Sequence, residues 1–419
     1  MTRRVMTECA MTGRGAMAGR GAELGRRMRA YAVVLAGLAL LLGALALPGT
    51  AYADLQHPRQ NFLRGSVSGL FLHWGERTAP HHTSCSGWEK DVTTGGWSPD
   101  YWVKEAGKLH AQYLVLASFH SRLGYARPWP SKIPGSCHTQ RDFLGELITA
   151  AKAKGLKVIL YMTDDPQWHN DGGHEWLDSD GYSRYKGRNV DLTTRDGFGE
   201  FSYDNFFEVM DRYPELGGFW IDNDNDYWLD HHLYEQIYRL RPQYTLSNNN
   251  EDTPVMDMIS NEQKTGMSPS YDYPQATYTA APRLTEADFK LPSSGAWWYD
   301  GSDPAVDRKL TLGRLITNAG SSIKALMAET AQVNGRFPAK QEAFNNSPTA
   351  IWTGSGSPCA EPQVAAISMA VSRPASGTTV RTVSPPSAPP TPTATTSMSS
   401  PRPRHPSSAF ATTDTGWPT

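Results

Sequence analysis

Five consecutive carboxylic acids and amides, Asp222–Asp226, follow directly on the short apolar segment 218–221. That segment predicts a buried strand that ends where the acids begin. Burying a charged group is costly unless the group is paired or used. The run is therefore a candidate functional site, with Asp222 as its leading acid and Asp224 and Asp226 as alternatives.

Two other interpretations of this run compete with a catalytic one. In one interpretation, Asp222 only caps the next helix. In the other, the run is a calcium-binding loop. An EF-hand loop needs Gly at its sixth position and Glu at its twelfth, but counting from Asp222 these are Tyr227 and Leu233. The calcium interpretation is therefore weak, and the spacing of the histidines fits no compact metal site. We expect no metal and no cofactor.

Polar residues also end or follow the other predicted strands, at the same end of each. They are His73, His120, Asp164 with Trp168, Asp222, and Asn248–Asn250. Because parallel strands bring their carboxyl ends to one face of a barrel, this pattern predicts a shared site there. Each histidine alone is also compatible with a role in the core.

The elements that would position these residues alternate between strand-like and helix-like patterns. The predicted strands are 69–75, 112–120, 157–163, 217–222 and 244–249, and the predicted helices are 98–109, 139–155, 199–213, 232–242 and 305–320. Nearly continuous apolar strands alternating with helices predict a parallel sheet covered by helices. No Gly-rich phosphate loop supports an open doubly wound sheet. The fold class predicted is α/β, a (β/α) barrel of TIM type.

The two ends of the chain differ from the middle. Basic residues at 26, 27 and 29 precede an apolar run that finishes with A-Y-A at Ala53, a signal-peptide layout. We expect residues 1–53 to be a signal peptide region, 54–356 the barrel, and 357–419 a disordered Pro/Ser/Thr-rich tail. A secreted, extracellular protein without stable membrane insertion after cleavage is expected. An uncleaved anchor is the alternative.

Composition narrows the choice of partners. The formal net charge is -2, which gives no indication of a nucleic-acid partner. Thirteen Trp and eighteen Tyr offer flat faces for stacking on sugar rings, although the same rings could simply fill a large core. In an oxidising compartment Cys85 and Cys137 could form a disulfide, and two separate thiols are the alternative.

Several segments, taken in order, resemble one family of enzymes. They are "GLFLHWG" (69–75), "QYLVLASFHSRLGYARPWPSK" (112–132), "GLKVILYMT" (155–163), "FWID" (219–222), "ISNEQ" (259–263), "ALMAETAQVNGRFP" (325–338) and "AIWTGSG" (350–356). Together they resemble the family 29 glycoside hydrolases, the α-L-fucosidases. The chain departs from the family in replacing a usual His-His pair by Phe119-His120, and in reading Asn248-Asn249-Asn250 where an arginine often occurs. We also expect the C-terminal β-sandwich usual in the family to be absent.

The resemblance implies roles for residues in retaining glycoside hydrolysis, which uses two carboxyl groups about 5 Å apart. Asp222 matches the nucleophile position. Glu262 is our first choice for the acid/base, with Glu286 and then Glu251 as alternatives. The side chains expected to bind the sugar are His73, Trp74, His120, Tyr161, Trp220 and Trp298.

The function expected from this resemblance is a secreted retaining exo-glycosidase of α-L-fucosidase type that acts on a terminal sugar of a glycan or glycoside. A non-catalytic carbohydrate-binding barrel is one alternative, because the usual His and Arg are missing. A retaining glycosidase for another sugar, such as a galactoside, is the other.

Overall fold

Eight short strands, all parallel and each paired with the next along the chain, close into a barrel. The computed structural model describes residues 57–164, 166, 176–249, 253–262 and 283–347. The strands are β1 (Ser68–His73), β2 (Tyr113–Phe119), β3 (Lys157–Thr163), β4 (Gly218–Asp222), β5 (Thr245–Asn249), β6 (Met258–Glu262), β7 (Leu284–Lys290) and β8 (Ile323–Thr330). The predicted TIM-type barrel is confirmed.

Helices connect the strands and cover the outside of the barrel. Their starts are fixed locally, since Asp142, Asp178, Thr194 and Asp307 each accept a hydrogen bond from a backbone N–H of the first turn. The helices are α1 (Asn61–Gly65), α2 (Cys85–Thr94), α3 (Pro99–Lys108), α4 (Phe143–Ala153), α5 (Ser179–Lys186), α6 (Arg195–Arg212), α7 (Asp226–Asp230), α8 (Leu233–Leu240), α9 (Arg308–Gly320) and α10 (Ala339–Asn345).

Alternation along each strand produces two separate apolar layers. One layer fills the barrel interior and includes Phe71, Val115, Ile159, Tyr161 and Trp220. The other lies between the strands and the helices. A side chain near the end of a strand therefore reaches the open mouth of the barrel only if it belongs to the interior set.

The segment that precedes β1 is hydrogen-bonded to a residue at the amino end of β6. Asp257, fully buried just before β6, accepts hydrogen bonds from Arg59 Nε at 2.9 Å and Gln60 Nε2 at 2.6 Å. Tyr238 Oη also donates to Asp257, at 2.8 Å. One buried carboxylate thus ties the chain before β1 to the far side of the barrel.

The strands predicted from sequence are β1 to β5, and the five predicted helices correspond to α3, α4, α6, α8 and α9. Cys85 and Cys137 form a disulfide, with their Cα atoms 5.2 Å apart. None of the helices in the described ranges is long and apolar enough to cross a membrane. The signal peptide region, the tail, Trp168 and Glu251 lie outside the described residues.

Candidate active site

Asp222 ends β4 and presents its carboxylate at the carboxyl-end mouth of the barrel. Its Oδ2 accepts a hydrogen bond from Tyr161 Oη at 2.6 Å, and its Oδ1 accepts one from Asn249 Nδ2 at 2.9 Å. Burial and then the charge of Asp222 raise the pKa of Tyr161 well above its usual range, so the phenol keeps its proton and donates. Asp222 itself is half-buried, with both oxygens held in place.

The acids that follow Asp222 have structural partners. Asp224 accepts hydrogen bonds from Tyr234 Oη at 2.5 Å, from Asn248 Nδ2 at 2.9 Å and from the Thr253 hydroxyl. Asn225 caps α7, whose first helical residue is Asp226. The helix cap is therefore Asn225 rather than Asp222.

The aromatic rings under Asp222 form a stack. Trp220 and Tyr161 lie with their centroids 5.4 Å apart at an interplanar angle of 20°. Trp220 also donates from Nε1 to Glu286 Oε1 at 2.9 Å, deeper in the barrel. These contacts fix the floor beneath the carboxylate.

Two imidazoles border the same mouth. The ring centroid of His120 lies 5.6 Å from that of Tyr161 and 6.1 Å from that of His73. Burial, and then His120, lower the pKa of His73 well below its usual range, which keeps His73 neutral. His120 Nδ1 accepts a backbone N–H from Arg122 at 3.0 Å, so its neutral ring carries the proton on Nε2. Both rings are suited to hydrogen-bonding sugar hydroxyls.

Two adjacent tryptophans after β7 stand over these imidazoles. The ring of Trp298 lies 5.7 Å from that of His120, and the ring of Trp297 lies 5.5 Å from that of His73. Trp298 was expected from the sequence, whereas Trp297 was missed. The segment has no strand or helix period, so only the Trp-Trp pair itself could have indicated a second ring.

Trp74, expected to form a wall of the sugar site, lies instead in the outer apolar layer. It is fully buried against Trp88 and Trp102, and its Nε1 donates to the carbonyls of Gln332 and Val333. Successive residues point to opposite faces, so when His73 faces the interior Trp74 faces the helices. The structure does not bring it to the other candidate residues.

The two candidate acid/base residues lie at different depths. Glu262 ends β6 and is half-buried, at the level of the mouth. Glu286 is 1% exposed and accepts hydrogen bonds from Trp220 and from the Tyr113 hydroxyl inside the barrel. Burial raises the pKa of Glu286, and these bonds oppose the rise. Its position favours a structural role, which leaves Glu262 better placed to meet a substrate.

A third carboxyl group, Asp288, was not singled out from the sequence. It pairs in register with Glu262 across β6 and β7, is 1% exposed, and accepts from Ser260 Oγ at 3.1 Å. Burial, then the charges of Glu262, Glu286 and Asp222, raise its pKa well above the usual range. Asp288 therefore retains a proton beside the candidate catalytic pair.

Comparison with known protein families decides what this arrangement belongs to. The sequence model of the family described as alpha-L-fucosidase matches residues 89–344. The chain belongs to the α-L-fucosidase family. This is a family of glycoside hydrolases, as the sequence motifs indicated, and the match spans the strand ends described above from β2 to β8.

Solved structures of α-L-fucosidases have a similar fold. A family 29 enzyme from Bacteroides thetaiotaomicron superposes with a TM-score of 0.54 and 19% identity, over 73% of this chain and 77% of that one. A covalent intermediate of a Bacteroides thetaiotaomicron family 29 enzyme, trapped with 2-fluoro-fucosyl fluoride, superposes with a TM-score of 0.52 and 19% identity, over 72% of this chain and 76% of that one. The unliganded α-L-fucosidase AlfC from Lactobacillus casei superposes with a TM-score of 0.52 and 18% identity, over 72% of this chain and 99% of that one. A comparison with curated protein sequences found no match.

Proposed function

We propose that the protein is a secreted α-L-fucosidase that hydrolyses a terminal α-L-fucosyl residue with retention of configuration. The observation that carries the proposal is the position of Asp222, held by Tyr161 and Asn249 at the mouth of a barrel of this family. The fucosidase trapped as a covalent intermediate with 2-fluoro-fucosyl fluoride supports the double-displacement route.

In the first step, Asp222 attacks the anomeric carbon as the bond from that carbon to the leaving oxygen breaks. Glu262 gives its proton to the leaving oxygen. In the second step, the Glu262 carboxylate takes a proton from water, the water oxygen attacks the anomeric carbon, and the bond to Asp222 breaks. The hydrogen bonds from Tyr161 and Asn249 stabilise the Asp222 carboxylate and fix its direction for attack.

Recognition of the sugar would combine hydrogen bonds with apolar walls. Neutral His73 and the neighbouring His120 offer ring nitrogens to hydroxyl groups at one side of the mouth. Trp297 and Trp298 supply flat apolar faces that suit the methyl group and ring carbons of a 6-deoxy sugar.

The first test is hydrolysis of 4-nitrophenyl α-L-fucoside by the full-length protein. We expect turnover that Asp222→Asn lowers by several orders of magnitude, whereas Asp211→Asn, at an exposed helical position, leaves it unchanged. NMR of the first-formed fucose should show the α anomer. Release of the β anomer would refute retention.

The role of Glu262 has a separate test. Glu262→Gln should keep slow formation of the glycosyl-enzyme from the activated aryl substrate, and azide should accelerate turnover by replacing the water that needs a base. Fucosyl azide would be the product. If Glu286→Gln were rescued by azide and Glu262→Gln were not, the assignment would pass to Glu286.

One observation favours a different specificity. Phe119 stands where the family usually has the first histidine of a His-His pair. It is buried against Phe198 and Phe201 and contributes no imidazole to the mouth. A panel of aryl glycosides that includes a galactoside tests for another sugar. Sugar binding without turnover in any of them would indicate a carbohydrate-binding barrel.

Secretion is part of the proposal and rests on the signal-peptide layout of residues 1–53. The Cys85–Cys137 disulfide supports an oxidising destination. Amino-terminal sequencing of the protein recovered from the medium should begin at Asp54. Recovery of the intact amino terminus in the membrane fraction would instead indicate an uncleaved anchor.

A further inference from the structure

A second cavity lies at the end of the barrel opposite to Asp222. It has a volume of about 220 Å³ and lies at the amino ends of β7 and β8, beside the start of β1. Its apolar lining includes Val67, Leu284 and Ile323, and its basic lining is Arg64 and Lys324. This volume is below the roughly 300–1,000 Å³ of pockets that hold drug-sized ligands, so it suits a smaller ligand.

Lys324 is the unusual group in this cavity. It alternates with Leu326 and Ala328, which belong to the interior layer, and it is 6% exposed. Within the described ranges no residue forms a hydrogen bond or a close ion pair with its ammonium group. Its register neighbour Glu286 interacts with it only through charge, and Glu286 already accepts hydrogen bonds from Trp220 and a tyrosine.

The charge of Lys324 has an energetic consequence. Burial lowers its pKa to about 8, so most of the population is still protonated at pH 7. The side chain as a whole is 6% exposed, so water reaches this ammonium group only in part. An anion placed in the cavity would add charge-assisted hydrogen bonds to it.

The other side chains that line the cavity indicate which class of anion would fit it. Arg64, which donates to the His57 carbonyl at 3.3 Å and to Gln60 Oε1 at 3.2 Å, adds a second positive charge. None of the residues that line the cavity carries a carboxylate. The apolar side chains of Val67, Leu284 and Ile323 disfavour a fully hydrated ion and favour a ligand with a short hydrocarbon part.

We propose that this cavity binds a small organic monocarboxylate, whose carboxylate pairs with Lys324 and whose hydrocarbon part packs on Val67, Leu284 and Ile323. The site is separate from the sugar site, which lies at the other end of the strands, and it does not depend on the proposed hydrolysis. Lys324 would recognise the negative charge of the ligand, and the three apolar side chains would select the size and shape of its hydrocarbon part.

The test uses the full-length protein with hexanoate as the probe, in isothermal titration calorimetry and thermal unfolding at pH 7. Hexan-1-ol, of matching length but uncharged, and inorganic phosphate, charged but without hydrocarbon, serve as control ligands. We expect saturable hexanoate binding that raises Tm, and at least tenfold weaker binding of both controls.

Two variants assign the binding to this cavity. Lys324→Met keeps the length of the side chain and removes its charge, and should weaken hexanoate binding at least tenfold. Ala319→Leu, at a half-buried position of α9 that lines the cavity, fills hydrocarbon space and leaves Lys324 in place. It should also weaken binding, which keeps the test decisive if the first variant folds poorly.

Several results would overturn the proposal. The first is the absence of saturable hexanoate binding to the wild-type protein. The second is an equal dissociation constant in the wild type and in Ala319→Leu, which would place hexanoate elsewhere. Phosphate binding as tight as that of hexanoate would refute the assigned ligand class.

Discussion

The hydrogen bond between Tyr161 and Asp222 is the most informative contact at the scale of single residues. It joins a buried phenol on β3 to the proposed nucleophile on β4 at 2.6 Å. A hydrogen bond to a charged group contributes about 1.5–3 kcal/mol. It lowers the energy of the carboxylate and, together with the hydrogen bond from Asn249, limits its rotation.

Tyr161→Phe should therefore lower kcat for 4-nitrophenyl α-L-fucoside by about ten- to a hundredfold, since about 1.4 kcal/mol corresponds to a factor of ten. Tyr182→Phe is the matched control, because Tyr182 Oη donates to Asp204 at 2.8 Å in the outer layer, away from the site. It should affect stability without changing kcat. Equal kcat values for wild type and Tyr161→Phe would show that the contact has no part in the reaction.

At the scale of elements, the sequence predicts five of the eight strands. Each of β1 to β4 contains an apolar run that can be recognised without its neighbours, whereas β5 (Thr-Leu-Ser-Asn-Asn) has only one apolar residue. In β6 and β7 the inward positions after Met258 and Leu284 carry Ser260, Glu262, Glu286 and Asp288, so neither inner face is continuously apolar. Their strand character depends on pairing inside the barrel, which the local sequence does not show.

Some residues of the candidate site can be predicted from the neighbouring sequence, whereas others depend on contacts between distant parts of the chain. Asp222, His73 and His120 could be predicted because each ends or follows an apolar strand. Trp74 was assigned to the site because it adjoins His73, and only the direction of its side chain separates the two. Asp288 could not be found without the register that sets it opposite Glu262.

The segment before β1 depends on a single buried acid, which leads to a prediction about stability. Asp257→Asn removes the charge that pairs with Arg59 at 2.9 Å and leaves a buried guanidinium without it. Breaking a buried ion pair from one side costs about 3–5 kcal/mol. Urea unfolding followed by circular dichroism should show a loss of this size.

The control for this prediction is Glu146→Gln, which breaks the partly exposed ion pair between Arg141 and Glu146 at 2.7 Å. Pairs of that kind contribute about 0–1 kcal/mol. If Asp257→Asn lowered the free energy of unfolding by no more than the small loss expected for Glu146→Gln, Asp257 would contribute only as a surface charge does and would not hold the segment before β1.

At the scale of the whole molecule, the disulfide joins α2 to the long connection between β2 and α4, 52 residues apart in sequence. A cross-link of this span restricts the unfolded chain, and its removal from a folded domain costs about 2–5 kcal/mol. The double variant Cys85→Ser, Cys137→Ser should unfold at correspondingly lower urea. A reducing agent should shift the wild type toward the variant and leave the variant unchanged. An unchanged urea midpoint in the double variant would mean that the cross-link does not contribute to stability.

The buried carboxyl groups inside the barrel make the stability of the molecule depend on pH. Burial and neighbouring acids raise the pKa of Asp288 above its usual value, whereas in the unfolded chain it returns to about 3.9. Between these two values the folded state holds a proton that the unfolded state has lost. The free energy of unfolding therefore falls as pH rises through that window, by about 1.4 kcal/mol per pH unit.

Asp288→Asn imitates the protonated side chain at every pH and removes this contribution. Relative to wild type, its Tm should rise progressively as pH increases above about 4, and the difference should be smallest at pH 3, where Asp288 is mostly protonated in both the folded and the unfolded chain. Ser260 Oγ can still donate to the amide oxygen, so the hydrogen bond at 3.1 Å remains possible. Asp211→Asn, at an exposed position, should show no such divergence. A Tm difference that stays constant with pH would mean that folding does not raise the pKa of Asp288.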